Sequence, residues 1–489
     1  MSSNSPKDAA AVILLRQDTD PQNPELFWAR RSPQLAFLGG FHAFPGGQIE
    51  QDDAFVDVRH ANDQQTATMI SGAARELFEE LGVLLARGAE SLTKGQRASL
   101  LDDLQSKRIT WRQLLSHYEL QLDADDFTFA GRWVTPPFSA RRFDTWFFLA
   151  NCPRKQDPHV IPGELVSGEW ITANAAYESW FEGKVQAVPP TLHAIKTLAA
   201  GLTTDLVERF LDVPQADGEP VQRIEFRPNY ICFPVRTPTK PPATHTNCYI
   251  IYTDRELLVI DPGSPYKDEQ NALSSLVDEF ITIGLALKLI VLTHLHPDHI
   301  GGVNALRQHV GGVQVAAHVQ TAEALADITV DHLINDDDEI NLAGSPPISL
   351  KALHTPGHAR GHLCFYDADR GILITGDNIV GLGSVLIDPP QGNMRNYFAS
   401  LRRMRLLSPL QMLMGGHGPA IANPIEKIDE YINHRLEREQ RILNAFRDGA
   451  TTSAEIVEVV YTDVSPKARA MAERAVIAHL EKLKEDGAI

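Results

Sequence analysis

Residues Thr293–Gly302 read THLHPDHIGG, and the chemistry of these positions decides the fold. Four potential metal ligands, His294, His296, Asp298 and His299, fall within six residues. They follow the apolar run Leu289–Leu292, which places them at the C-terminal end of a buried strand and in the loop beyond it. Residues 294 and 296 alternate and can point the same way, whereas Asp298 and His299 turn to a second position. One short loop can therefore serve two ions. Imidazole and carboxylate suit zinc, with iron or manganese as alternatives. The competing account is a polar loop with surface histidines. It suits a single histidine, not three with an aspartate at this spacing.

Other apolar runs end in similar clusters. Thr355–His358 (TPGH) follows Leu350–Leu353 and offers His358. Thr375–Asp377 (TGD) follows Ile372–Ile374 and offers Asp377, and Gly415–Gly418 (GGHG) follows Met412–Met414 and offers His417. The glycines allow the backbone to turn tightly around an ion. Together with Asp261 in Val259–Gly263 (VIDPG), these residues resemble the metallo-β-lactamase superfamily over roughly residues 225–424. The resemblance implies an αββα sandwich with two metal ions, zinc, iron or manganese. His294, His296 and His358 would hold one, Asp298, His299 and His417 the other, and Asp377 would bridge them. Asp298 and Asp377 are the catalytic residues it implies, with Asp261 behind the histidine loop, positioning it. Metal binding lowers the pKa of water to about 7 and supplies hydroxide at neutral pH. The ligand set does not choose between an ester, thioester, lactam or phosphodiester. His354 and His362 flank the His358 motif and are expected to make hydrogen bonds. His245 is expected to be structural, and His434 to be solvated or packed on a helix.

A second motif lies upstream. Arg75–Val83 (RELFEELGV) has helical spacing: Ala73, Leu77 and Leu81 line one face, while Glu76, Glu79 and Glu80 gather on another. Such a face is either solvated or holds a hard cation beside substrate phosphates. Gly82 would close the helix in the left-handed conformation. With Phe44–Gly47 (FPGG) before it, the stretch resembles the Nudix box. That resemblance implies Mg²⁺ or Mn²⁺ at Glu79 and Glu80, catalytic Glu76 and Glu79, and substrate contacts from Gly46, Gly47 and Arg75. Two departures stand out. Asp53 occupies the place of a glutamate, and the gap from Asp53 to Arg75 is far longer than the usual spacing. The long insert, with Arg30–Pro33 (RRSP), Trp133–Pro136 (WVTP) and Arg141–Phe148 (RRFDTWFF), is similar to the peroxisomal coenzyme A diphosphatase branch of that family. It implies a nucleoside-diphosphate-linked substrate, coenzyme A derivatives among them. A domain that senses such a metabolite without turnover is the competing account.

The tail has its own character. Tyr431–Phe446, Ala454–Tyr461 and Ala468–Lys484 read as helices. Gly416–Ala420 (GHGPA) together with this tail resembles the branch of the superfamily that includes lactamase-β-like protein 2. There a winged-helix unit accompanies the hydrolase, and the animal member cleaves single-stranded RNA. RNA is therefore a possible substrate class, but charge argues against it. Glu426–Ile489 carries 10 Lys/Arg against 13 Asp/Glu, and counterion release needs clustered positive charge. Arg402, Arg403 and Arg405 form a small cluster, read as a solvated helix face.

The whole chain of 489 residues has a formal net charge of −18, which disfavours broad nucleic-acid binding. Four widely spaced cysteines form no CxxC pair, which argues against a disulfide framework and a thiolate zinc site. No apolar run approaches ~18 residues, and the polar start has no signal-peptide pattern. A cytoplasmic protein without a membrane partner is expected. Its partners would be small molecules: nucleoside-diphosphate-linked compounds and acyl thioesters, the latter suggested by the domain pairing. The expected fold class is a multidomain α/β and α+β chain. Residues 1–213 would form a Nudix α/β/α domain, 222–424 the αββα domain and 425–489 a small winged-helix-like tail, with a linker at Pro214–Pro220 (PQADGEP).

Overall fold

The computed structural model describes residues 5–489 except 36–37, 137–138, 140, 214–216, 221 and 463–467. The chain divides into two compact units, Met1–Pro228 and Asn229–Ile489.

The first unit is built on a mixed sheet. Lys7–Leu15 runs parallel to Phe143–Asn151 and antiparallel to Glu25–Arg31 and Gly46–Gln48. Ala10, Val12 and Leu14, alternate residues of the first strand, pack into one core with Ala73, Leu77 and Leu81 of the helix Gln64–Leu81. Asp63 caps that helix by accepting from the Thr66 amide at 2.7 Å, and Gly82 closes it at φ +67°. The unusual gap after Asp53 is absorbed by a short strand, Val58–Arg59, and by extra turns at the start of this helix. Within the expected linker, Pro214–Ala216 lie outside the described residues. Asp217–Pro220 pair instead with Thr128–Val134 as an edge strand.

The second unit has two sheets. In the first, Tyr230–Arg236, His245–Tyr252, Glu256–Ile260, Ala286–Val291, Val315–Ala317 and His332–Leu333 lie side by side in sequence order. The second is Glu339–Leu342, Ile348–His354, Leu363–Asp367, Ile372–Gly376 and Met412–Gly415. Leu257–Ile260 is fully buried, as its unbroken apolar run requires of a strand covered on both faces. Leu273, Val277 and Phe280 of the helix Lys267–Thr282 cover the first sheet. Tyr397, Phe398 and Leu401 of Met394–Arg405 cover the second. The sheets are tied together by Asn247 Nδ2 and Tyr249 Oη, which both donate to Gly415 O, at 2.8 and 2.6 Å. The arrangement is helix, sheet, sheet, helix.

Three helices end the unit: Pro424–Arg447, Ser453–Val460 and Arg469–Glu485. Thr452 and Glu455 form a capping box at the second. Ile442, Ile456, Val460, Val476 and Leu483 make a small core of their own. Ala478 reaches the core of the second sheet, and Arg474 bonds to Asp388. The tail is thus seated on the sandwich. Among the described residues no helix is long and apolar enough to cross a membrane. All four cysteines are free and buried.

Candidate metal centre and cleft

In the first unit the box residues form a buried ionic network. Arg75 is 2% exposed. Its Nη2 meets Asp53 Oδ2 at 3.0 Å, and its Nη1 meets Glu76 Oε1 and Glu79 Oε2 at 2.9 Å each. Burial works against the guanidinium charge, but the bond to Asp53 and the surrounding carboxylates hold Arg75 above its usual pKa. Asp53, despite the long insert, returns to Arg75; Gly72 lies under this region, and a Cβ there would strike Ile49 Cδ1 and crowd Asp53 Oδ2 at 3.2 Å. Glu80 accepts from the Gly46 amide at 2.9 Å. A Cβ on Gly47 would lie 2.6 Å from both Glu76 carboxylate oxygens and one on Gly46 2.6 Å from Ala11 Cα, so the glycine pair lets the loop fit between the helix and the first strand. Burial raises all three helix carboxyls, Glu76 to about 7 and Glu80 to about 8. Glu76, Glu79 and Glu80 are not among the described groups whose ligand atoms converge on one point.

The second unit does bring its residues together. His294, His296, His358 and Asp377 form one converging group, and Asp298, His299 and His417 another. His294 Nε2 and His358 Nε2 lie 3.0 and 2.9 Å from His296 Nδ1. His299 Nε2 and His417 Nε2 lie 3.3 and 3.4 Å from Asp377 Oδ1, and His417 Nε2 is 3.5 Å from Asp298 Oδ2.

What fixes these rings is the other nitrogen. His358 Nδ1 donates to Leu386 O at 2.9 Å, and His417 Nδ1 to His245 O at 2.7 Å. His299 Nδ1 donates to Asp261 Oδ2 at 2.7 Å. The Thr293 hydroxyl donates to Asp261, so it can accept from His294 Nδ1 at 2.9 Å. Since each Nδ1 carries the hydrogen, each Nε2 presents a lone pair inward. Four such lone pairs and two carboxylates thus face one small volume. His299 Nε2 and Asp377 Oδ1 are buried there without a hydrogen-bond partner, a costly arrangement unless a cation accepts both. The donor set fits two divalent metal ions. Burial and the neighbouring imidazoles push His294 far below its usual pKa, and His296 to about 3, leaving both neutral. Asp261 adopts φ +53°, an uncommon conformation that aims both its oxygens at the loop. Gly416 has no room for a side chain, because a Cβ would strike Asp377 and His299.

The remaining histidines take the places their neighbours give them. His362 is buried, accepts from the Asp377 amide at 3.2 Å and lies 3.1 Å from Thr355 Oγ1. His354 bonds to Arg360 O at 2.9 Å and stacks on His318 at 4.0 Å. His245 supplies its carbonyl to His417 and lies 2.8 Å from Thr244 Oγ1. Arg403 pairs with Asp336 and Asp337, and Arg405 with Asp429.

A cavity of about 910 Å³ opens above the cluster. His296, Asp298, His358, Asp377 and His417 line it, but so do His434, Arg435 and Arg438 of Pro424–Arg447, with Tyr461 and Met471. The tail therefore contributes a wall of the cleft, which the sequence reading missed. The signal was present as His434, Arg435 and Arg438 at spacings that share one helix face. Thr293 was likewise legible only as part of a motif, and the carbonyls of Leu386 and His245 leave no mark in a sequence.

The profile of the family described as "Metallo-beta-lactamase superfamily" matches residues 241–417, and that of the "Beta-lactamase associated winged helix domain" matches 452–489. A Beta-lactamase-like protein 2 homolog of Drosophila melanogaster is 30% identical over 257 residues, covering 50% of this chain and 83% of the relative. An atrochrysone carboxyl ACP thioesterase of Aspergillus fumigatus is 28% identical over 231 residues, covering 44% of this chain and 68% of the relative. Among solved structures, a NUDIX hydrolase from Alicyclobacillus acidocaldarius aligns with TM-score 0.36 and 29% identity, covering 42% of this chain and 96% of that one.

Proposed function

This chain belongs to the metallo-β-lactamase superfamily of hydrolases, and from that premise we propose that its second unit is a dinuclear metal-dependent thioesterase or esterase. His294, His296 and His358 would hold one ion, Asp298, His299 and His417 the other, with Asp377 between them. Such a pair, whether zinc, iron or manganese, supplies hydroxide at neutral pH and stabilises charge on a carbonyl oxygen. The observation that carries the reading is the inward-locked set of imidazoles around the partnerless Asp377 Oδ1. The relationship to a relative described as a thioesterase favours acyl-thioester substrates.

Hydrolysis of a thioester forms a C–O bond at the acyl carbon and breaks the C–S bond, the electron pair leaving on sulfur. In this reading Asp298, which lines the cavity, would take the proton the nucleophile sheds and return it to that sulfur. The products are a carboxylate and a thiol. His358, braced by Leu386 O, and His417, braced by His245 O, keep the site rigid while the bond changes. The full chain, loaded with metal and offered acyl thioesters of increasing length, should hydrolyse them in a chelator-sensitive way. Two metal equivalents are expected at the histidine cluster, beyond any the first unit takes, and a cluster that binds none would remove the reading.

For the first unit we assign a Nudix-type diphosphatase site taking Mg²⁺ or Mn²⁺ at Glu79 and Glu80, with Glu76 beside them. Three helix carboxyls raised by burial support it, because a divalent cation favours their charged form. The engagement of Glu76 and Glu79 by Arg75 favours a second reading, in which the unit binds a nucleotide metabolite without cleaving it. Hydrolysis of a nucleoside-diphosphate-linked panel, coenzyme A included, separates the two. We divide the chain into residues 1–213, 222–424 and 425–489 on this basis, and place it in a reducing, cytoplasmic setting, to which four free buried thiols are suited.

A further inference from the structure

The cavity over the histidine cluster has a second chemistry on its tail side. His434, Arg435 and Arg438 project from one face of the helix Pro424–Arg447 into its lining. Arg435 is buried and already committed, since it donates to Val385 O and lies 5.5 Å from the Tyr397 ring. Arg438 is half-buried, and its guanidinium sits 4.1 Å from the centroid of Tyr461. Among the described residues no carboxylate is paired with it. Stacking occupies only the face of a planar guanidinium and leaves its N–H edges free to grip an oxyanion. Lys240 adds another positive charge to the lining, and Asp388, also on the wall, is taken by Arg474. Burial and the charges of Arg435 and Arg438 depress the pKa of His434, while Glu437 and Glu430 oppose them. Glu430 is itself paired with Lys427. In a chain of net charge −18, the lining thus gathers two arginines and a lysine away from Asp298 and Asp377, with Asp388 already taken.

We infer that Arg438, with His434, holds a phosphate group of the substrate, so that the cleft takes a phosphorylated acyl thioester whose carbonyl lies at the histidine cluster. The inference rests on the thioester reading of that cluster. A stacked arginine with an imidazole one helical turn away, in a cavity that a lysine also lines, matches the charge and the several acceptors of a phosphate, where a lone carboxylate would need one partner. The cavity volume of about 910 Å³ lies within the range of sites that enclose a whole cofactor-sized molecule. Val385, Met471 and Ala472 supply apolar lining for the uncharged remainder.

The first test is calorimetric titration of the metal-loaded full chain with 4′-phosphopantetheine and with pantetheine. Neither carries a thioester, so the result does not depend on thioesterase activity. The phosphorylated probe should bind at least about tenfold more tightly. The advantage should vanish in R438Q and be partly kept in R438K, with metal content unchanged in both. Equal affinity of the two probes overturns the subsite. So does a phosphate advantage that survives in R438Q, since the phosphate would then be held elsewhere, on the metal ions or in the first unit. In the second test, R438Q should raise KM for the acetyl thioester of phosphopantetheine about tenfold more than for that of pantetheine, with kcat little changed. If binding behaves as expected but neither thioester is cleaved, the thioester assignment falls and the anion subsite stands. If R438Q weakens cleavage of single-stranded RNA and spares the thioesters, the subsite serves a nucleic-acid phosphate and the proposal is wrong.

Discussion

His299 and Asp261 are joined by a 2.7 Å hydrogen bond from Nδ1 to Oδ2, both side chains buried. The same carboxylate accepts from the Thr293 amide at 2.8 Å and from its hydroxyl at 2.5 Å. Asp261 therefore orients His299 directly and His294 through Thr293, one residue from each converging group. Asn tolerates the left-handed backbone that Asp261 adopts, so D261N changes the charge and the acceptor set while keeping the main chain in place. It should lower metal affinity by 10- to 100-fold, roughly the cost of losing such a supporting group. Metal content after dialysis against graded chelator measures this. Retention equal to wild type would show that the histidine loop holds its shape without the carboxylate.

Asp377 and Glu79 lie in different units and should fail independently. Removing Asp377 takes the shared oxygen from both converging groups, so D377A should lose thioester hydrolysis by a factor on the order of a thousand or more. Diphosphate hydrolysis should stay at the wild-type level. E79Q should do the reverse, abolishing diphosphate cleavage and leaving thioester turnover alone. A chelator should silence both, with Mg²⁺ restoring only the diphosphatase. If E79Q leaves diphosphate hydrolysis untouched, the first unit binds its nucleotide without cleaving it.

The sequence disclosed the ligands because metal chemistry restricts them to few residue types, and because they follow short apolar runs, only the one before His358 being interrupted, by Lys351. Leu257–Ile260 and Met412–Met414 could be read as buried strands for the same reason. It could not disclose that Asp53 returns to Arg75 across the long gap, since that depends on where a short strand and the added helix turns lead the chain. Nor could it place His434 and Arg438 over the site. A helix face is legible from spacing, but the surface it meets is set by tertiary packing, here through Ala478 and Arg474. The main-chain acceptors of His358 and His417 lie 28 and 172 residues away from those rings and carry no side-chain signature.

The Arg75–Asp53 pair is a stability element of the first unit. Asp53 is 0% exposed and Arg75 2%, so deleting one partner leaves a buried charge with reduced compensation. D53A should destabilise this unit by about 3–5 kcal/mol, the usual penalty for breaking a buried pair. Glu76 and Glu79 remain on Arg75 and place the loss toward the lower end. Urea unfolding followed by the fluorescence of Trp111, which is buried beside Phe78 of the same helix, reports it. A loss below about 1 kcal/mol would mean that the two glutamates alone suffice.

His42 gives the first unit a pH-dependent stability whose sign is fixed by its surroundings. Its ring packs on Trp28 at 4.5 Å, and its Nδ1 is buried without a hydrogen-bond partner. Burial, and then the charge of Arg30, lower its pKa to about 4 from the usual 6.5. Between those values the unfolded chain takes up a proton that the folded protein refuses, so stability falls as the pH drops from 6.5 towards 4. Above 6.5 the ring is neutral in both states and contributes no slope. Other groups titrate in the same window, so the informative quantity is the difference between wild type and H42Q. Unfolding free energies measured at half-unit steps should converge as the pH falls, the wild type losing on the order of 3 kcal/mol more than the variant at most. Parallel curves would show that the His42 ring takes its proton without leaving its place against Trp28.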